Sequence, residues 1–130
     1  GVVSLDKQLI DAPLHRYELA NGERRVRVSS EGKESKTQWN VAERFMHATL
    51  VYASPLSGRT HQIRVHGLSI GHPLVGDDKY GHETEYKGPK PRRLCLHAMR
   101  LDIPGYAPIE APLPEDMQSI VAQLRAQKKD

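Results

Sequence analysis

The hydrophobic positions alternate with polar ones up to Ala53 and adopt helical spacing only afterwards. Asn21-Gly22 is a hairpin signal, because both positions tolerate the positive φ of a tight reversal. After it, Val26 and Val28 alternate with Arg25 and Arg27, which predicts a half-exposed strand from Glu23 to Val28. Ser30-Glu31-Gly32-Lys33 reads as a loop. Thr37, Trp39, Val41 and Phe45 predict one face of the next strand, with Lys36, Gln38, Asn40 and Arg44 on the other. A turn near Met46-His47 leads to Ala48 through Ala53, apolar on both faces and so expected to be a central strand. Such a meander predicts an antiparallel sheet.

Pro55 to Gly58 breaks the alternation, and Thr60 is placed to cap a helix running to about Ile70. Ile63, Gly67 and Ile70 fall on one side of that helix, which predicts its buried face. Arg64 sits one position round, in line with Thr60 and Leu68. Gly71-His72-Pro73 ends the helix, and a polar loop follows from Gly76 to Arg92. Alternation returns from Leu94 to Ile103, with Cys95, His97, Met99, Leu101 and Ile103 on one side. Pro104-Gly105 turns the chain into Tyr106 to Ala111. Pro114 opens a last helix, with Glu115 and Asp116 in its first turn and an apolar stripe of Met117, Ile120, Val121 and Leu124. The pattern predicts an α+β fold: a mixed, mainly antiparallel sheet flanked by helices, with no internal repeat and no linker.

Composition narrows this reading. A chain of 130 residues, 38% hydrophobic and 27% charged, suits one domain with a modest core. No apolar run approaches the ~20 residues of a membrane helix, so no membrane contact is expected. The start, Gly1-Val2-Val3-Ser4-Leu5-Asp6, has no basic or apolar region of a secretory signal. It lacks an initiator Met, which suggests a clipped or excised piece. The single cysteine, Cys95, rules out an internal disulfide and suits a reducing compartment; cytoplasm is the expected location.

The net charge of +3 says little, but its distribution says more. Between Glu43 and Asp77 no acidic residue occurs, while Arg44, Arg59, Arg64, His47, His61, His66 and His72 do. That stretch predicts a locally positive surface suited to phosphates. A zinc site is not supported, since His61 and His66 lie ~140° apart on a helix and there is no second cysteine. Ala53 through Thr60 resembles a nucleotide phosphate loop, but that motif needs Gly first and Lys where Arg59 stands. The helix start there could still hold an RNA phosphate. Ser57 and His61 lack the Gly-x-Ser-x-Gly elbow of a hydrolase. Arg64, beside a buried stripe, requires a carboxylate or phosphate partner. Asp77 and Asp78 are the candidates within the chain for a purely structural ion pair.

Three blocks closely resemble the RluA-type pseudouridine synthases: Gly58-Arg59-Thr60-His61-Gln62-Ile63-Arg64-Val65-His66, Gly71 through Gly81, and Arg93-Leu94-Cys95-Leu96-His97-Ala98. Their order and spacing match, and the likeness extends through Asp11-Ala12-Pro13-Leu14, Glu31-Gly32-Lys33 with Thr37, Ala48-Thr49-Leu50-Val51 and Ile109-Glu110-Ala111-Pro112. The resemblance implies isomerisation of uridine in RNA, large-subunit ribosomal RNA in particular, without metal or organic cofactor. It also implies that residues 1–130 are the C-terminal part of a catalytic domain. The family's nucleophilic aspartate lies in a His-Arg-Leu-Asp block and its active-site tyrosine in a Lys-x-Tyr-x-Ala block; neither block is present. The N-terminal half of the domain is therefore an implied partner, and the isolated chain is expected to be inactive.

By the same resemblance Arg64 is the basic partner of that aspartate, its carboxylate lying outside this chain. Leu94 and Leu96 fall near the substrate base. Arg59, Thr60, His61 and Gln62 fall around the RNA backbone or support the pocket, and Tyr80 could stack on a base or pack its loop. The rivals are a non-catalytic RNA-binding module, separated by whether a His-Arg-Leu-Asp block lies upstream, and a nucleotide hydrolase, separated by ATP or GTP turnover.

Overall fold

The computed structural model describes residues 2–56, 61–81, 86–91, 93–98, 100–101, 105 and 109–127. Three strands form the main sheet: β1 (Lys7–Asp11), β4 (Lys36–Arg44) and β5 (Thr49–Pro55), in the order β1-β4-β5. A separate ribbon pairs β2 (Leu14–Glu18) with β3 (Arg24–Val28), and β6 (Arg100–Leu101) pairs with β7 (Ile109–Glu110). Two helices complete the fold, α1 (Gln62–Ser69) and α2 (Glu115–Gln127). The α+β reading holds, and every described strand pairing is antiparallel. Asn21-Gly22 closes the ribbon as expected, with the Gly22 N–H on the Leu19 carbonyl and the Glu23 N–H on Asn21 Oδ1.

A bulge in β4 decides where the cores form. Trp39 pairs with Ala53 and Val41 with Val51, but past the bulge Glu43 pairs with Leu50 and Arg44 with Thr49. The extra residue reverses the alternation of side chains. Phe45 and Arg44 therefore exchange the faces that strict alternation predicts for them. Phe45 joins Ala48, Val121 and Leu124 under α2, with Leu50 and Ile120 beside them. On the other face Trp39 packs with Val3 and Ile10, against Val51, Ala53 and Ile70. Arg44 turns to that side and donates to the Val3 carbonyl (2.7 Å) and to Asp6 (2.7 Å). β4 is the central strand, and β5, expected there, lies at the edge among the described residues. Its apolar residues on both faces reflect two cores, one on each side of the sheet, instead of two strand neighbours.

Helix α1 bridges the ribbon and the sheet. Val65 packs on Leu14 and Val26 of the ribbon, while Ile70 meets the Trp39 cluster. Its buried residues are Gln62, Val65, His66 and Gly67; of the predicted stripe Gly67 is buried, while Ile63 and Ile70 are only partly so. Hydropathy mis-assigned this face because two of its members are polar and fully satisfied. Gln62 Nε2 donates to the Lys36 carbonyl (2.8 Å) and to Thr37 Oγ1 (3.0 Å). Thr37 Oγ1 lies 2.7 Å from His66 Nδ1, and His66 Nε2 lies 2.9 Å from the Ala12 carbonyl. The acceptor carbonyl fixes the proton on Nε2, so Nδ1 accepts from the threonine hydroxyl, which in turn accepts from Gln62. Every donor has an acceptor.

The helix ends as predicted. The Gly71 N–H bonds the Leu68 carbonyl and the His72 N–H bonds the Gly67 carbonyl, a Schellman ending with Gly71 at φ +80°. A Cβ on Gly67 would stand 2.8 Å from the His72 carbonyl oxygen, so glycine is needed for this reversal. Of the predicted strand from Leu94 to Ile103, the described residues form a strand at Arg100–Leu101; Met99 and Ile103 fall outside them. Residues 94–98 form no ladder, because the Cys95 N–H goes to the Val75 carbonyl and the Leu96 N–H to the Leu94 carbonyl. Helix α2 buries Met117, Val121 and Leu124 as its stripe predicts, with the Pro114 carbonyl accepting the Gln118 N–H.

Because Phe45 reaches its core only through the bulge, Phe45→Ala should cost about 3–5 kcal/mol in chemical denaturation. Val28→Ala, at an exposed ribbon position, should cost less than about 1 kcal/mol.

Candidate active site

Arg64 projects from the middle of α1 and finds a carboxylate within the chain. Its Nε donates to Asp77 Oδ2 (2.9 Å) and its Nη2 to Asp77 Oδ1 (2.7 Å), a two-point clasp. Asp77 Oδ1 also accepts the N–H groups of Lys79 (3.1 Å) and Tyr80 (3.0 Å), so the same carboxylate shapes the turn that follows it. The Asp77 side chain is fully buried, whereas Arg64 keeps 19% of its side-chain surface. The expectation that the carboxylate partner of Arg64 lies wholly outside this chain is corrected: the Asp77 ion pair, the structural alternative, is formed.

Tyr80 supports the guanidinium from beneath. The Arg64 Cζ stands 5.1 Å from the centre of its ring. The Tyr80 hydroxyl accepts the Val26 N–H (3.1 Å) and lies 2.7 Å from His61 Nδ1. The hydroxyl thus joins the Val26 backbone of the ribbon to the His61 ring. His61 is the residue before α1, at φ 52°, and its carbonyl accepts the Val65 N–H. A left-handed non-glycine backbone is strained, and here it turns the imidazole edge-on to Tyr80 at 5.5 Å between ring centres. The predicted cap, Thr60, lies outside the described residues with Arg59; the cap position belongs to His61, which makes no side-chain cap bond.

The protonation states follow from these contacts. Burial lowers the His61 pKa below the usual histidine value, helped by the nearby charges of Arg64 and Lys79 and opposed by Asp77. Burial pushes the Asp77 carboxyl up, but its bonds from Arg64, Tyr80 and Lys79 together hold it below the ordinary value. Arg64 is raised, first by its hydrogen bonds to Asp77. Tyr80 is raised by burial. The site at neutral pH is therefore an arginine–aspartate ion pair flanked by an uncharged histidine and tyrosine.

The other predicted site residues divide. Gln62 is buried in the Thr37–His66 network, where it supports α1. Leu94 is half-buried and Leu96 exposed, in a segment tied to the loop before Asp77 by the Cys95–Val75 bond. The expected positive stretch is partly cancelled by tertiary contacts: Arg44 meets Asp6, Arg64 meets Asp77, and His66 is inaccessible. Sequence reasoning missed Thr37 and His66. The available signal was the four-residue spacing of Gln62 and His66, which puts two polar side chains on one helical face.

No protein-family model matches the chain. Curated relatives do. Ribosomal large subunit pseudouridine synthase C of Yersinia pestis is 48% identical over 124 residues, covering 89% of this chain and 39% of the relative. The protein of the same name from Escherichia coli strain K12 is 45% identical over 126 residues, covering 89% and 40%. Among solved structures, Human RNA Pseudouridylate Synthase Domain Containing 1 superposes with a TM-score of 0.71 at 29% identity, covering 95% of this chain and 61% of that one. The chain is thus similar to pseudouridine synthases over about nine tenths of its own length. It spans about two fifths of the length of the curated synthases it matches. The residues around Arg64 lie within the segment whose motifs carry the family likeness. Among the described residues, no helix is long and apolar enough to cross a membrane.

The pKa directions set two pH windows. His61 binds a proton less readily folded than unfolded, so its contribution to stability is complete above about pH 6.5 and declines as pH falls below it. Asp77 likewise contributes fully above about pH 3.9 and loses its contribution as pH falls further. Unfolding midpoints measured from pH 7.5 to 5.5 should fall in the wild-type chain, and less steeply in His61→Gln.

Proposed function

We propose that this chain supplies the arginine half of an active site that isomerises uridine to pseudouridine in RNA, with large-subunit ribosomal RNA as the substrate. In this reading residues 1–130 are the C-terminal part of the catalytic domain. The nucleophilic aspartate is brought by the N-terminal half, and the protein works in the cytoplasm. The observation that carries the proposal is the posture of Arg64. One edge of its guanidinium is fixed on buried Asp77 and its face rests on Tyr80, while Nη1 makes no hydrogen bond among the described residues. The names of the relatives, which are large-subunit pseudouridine synthases, support this reaction and substrate class.

The chemistry asked of Arg64 is modest and specific. A carboxylate that attacks a nucleotide in a partly dry pocket tends to take up a proton, and guanidinium donors favour its charged form. Asp77 already offsets much of the arginine's charge, so Arg64 acts chiefly as a rigid pair of donors at a fixed position. Once the flipped nucleotide is held, the aspartate promotes breakage of the N1–C1′ bond, the base turns, C5 bonds C1′, and the C5 proton is lost while N1 takes one up. Flipping costs a few kcal/mol, which favours targets in loops or unpaired segments. Leu94 and Leu96 would offer apolar surface to the base. Arg59, Thr60 and His61 would face the RNA backbone. The half-buried Tyr80, committed by hydroxyl and ring, would serve as the support of Arg64.

The test is tritium release from RNA carrying 5-tritiated uridine. The full-length protein should be active, and the isolated 130-residue chain should release none. Full-length Arg64→Ala should lose about 100-fold or more in single-turnover rate, and Arg64→Lys should not recover it, because a lysine cannot serve two carboxylates with fixed geometry. A near-normal rate in Arg64→Ala, or turnover by the isolated chain, would overturn the assignment.

A further inference from the structure

We propose that the outer face of the β2–β3 ribbon, centred on Arg27 and Tyr17, is a second RNA-backbone contact that leads into the Arg64 site. It rests on the reading that the parent protein acts on RNA. The ribbon has two unlike faces. Leu14 and Val26 turn inward onto Val65 of α1. The register places His15 opposite Arg27 and Tyr17 opposite Arg25 on the other side, and no carboxylate stands among those four. Arg27 is exposed and makes no ion pair among the described residues; its guanidinium lies 5.1 Å from the centre of the Tyr17 ring. An arginine held over an aromatic ring is a pre-ordered phosphate donor, since the ring limits the rotamer freedom lost on binding.

The face is continuous with the candidate active site. Arg25 Nη1 reaches the Lys79 carbonyl at 3.5 Å, and Lys79 precedes Tyr80, which carries Arg64 on its ring. The path therefore runs from Arg27 and Tyr17 through Arg25 and Lys79 to Tyr80 and Arg64, with a cation–aromatic pair at each end. Along its middle, Glu23 is the carboxylate that meets both Lys79 (2.9 Å) and Arg25 (3.6 Å). Arg25, Arg27 and Lys79 thus stand against one acid, an excess of two positive charges (three minus one). Glu18, the other acid in the ribbon strands, belongs to the opposite face and meets Arg24. Alternate cations interleaved with an aromatic suit a nucleic-acid strand, where phosphates meet arginines and a base can rest on a ring.

The test uses the full-length protein and large-subunit ribosomal RNA transcribed in vitro, with affinity measured across a salt series. Arg27→Gln should raise Kd about 5-fold or more, and should make the slope of log affinity against log salt shallower by about 0.7–0.9. The single-turnover rate at saturating protein should stay unchanged. Arg27→Lys should keep the wild-type slope, and Arg16→Gln, on the opposite ribbon face, should keep both Kd and slope. Unchanged affinity and slope in Arg27→Gln would overturn the proposal. So would an equal loss in Arg16→Gln, or a Lys variant that behaves as the Gln variant does. Pseudouridine formation by the wild-type protein in the same transcript reports separately on the function: if none forms, that reading fails, whatever Arg27 does.

Discussion

The hydroxyl of Thr37, held between Gln62 and His66, is the contact on which the rest of the structure depends. It joins the central strand to the two buried polar residues of α1, Gln62 and His66, and His66 passes the connection on to the Ala12 carbonyl between β1 and β2. All three side chains are buried, so each bond forms in a low-dielectric interior where an unmade one costs about 1–3 kcal/mol. Apolar contacts alone would allow α1 to slide or rotate on the sheet. A chain of bonds with one consistent set of protons admits a single register, and that register sets the direction in which Arg64 leaves the helix.

Asp77 then completes the arrangement. One carboxylate closes the turn at Lys79 and Tyr80 and clasps Arg64, so loop shape and arginine position are coupled. The desolvation of such a pair is costly, and the four bonds it receives are what make it tolerable. An arginine fixed by an internal acid remains able to serve a second acid. The structural and the catalytic readings of Arg64 are therefore compatible, and the ion pair is the means by which a flexible side chain becomes a positioned one.

Much of this was legible in the alternation of residues. The hairpin at Asn21-Gly22, the strand through Trp39, the helix end at Gly71 and the stripe of α2 follow from local rules that tertiary contacts reinforce. The misses share one cause, which is that alternation and hydropathy are blind to partners distant in sequence. Phe45 changed faces through a one-residue bulge, and the segment from Leu94 lost its ladder to a bond with Val75. Gln62 and His66 were passed over as core because burial of a polar group depends on a partner 25 and 29 residues away.

By itself, the sequence determined the fold class and the likeness to pseudouridine synthases, and it singled out Arg64 as a residue in need of a partner, because motif spacing and apolar period are properties of the chain as written. Which carboxylate meets Arg64 was open between Asp77 and Asp78, and whether any internal one did was open too. Only the tertiary structure decided for Asp77, since the turn that its own oxygen closes on Lys79 and Tyr80 directs both oxygens at the guanidinium. Among the described residues, it also paired two arginines of the stretch between Glu43 and Asp77 and left one of the ribbon without an acid. Arg44 and Arg64 find acids across the fold there, while Arg27 is left with an aromatic ring.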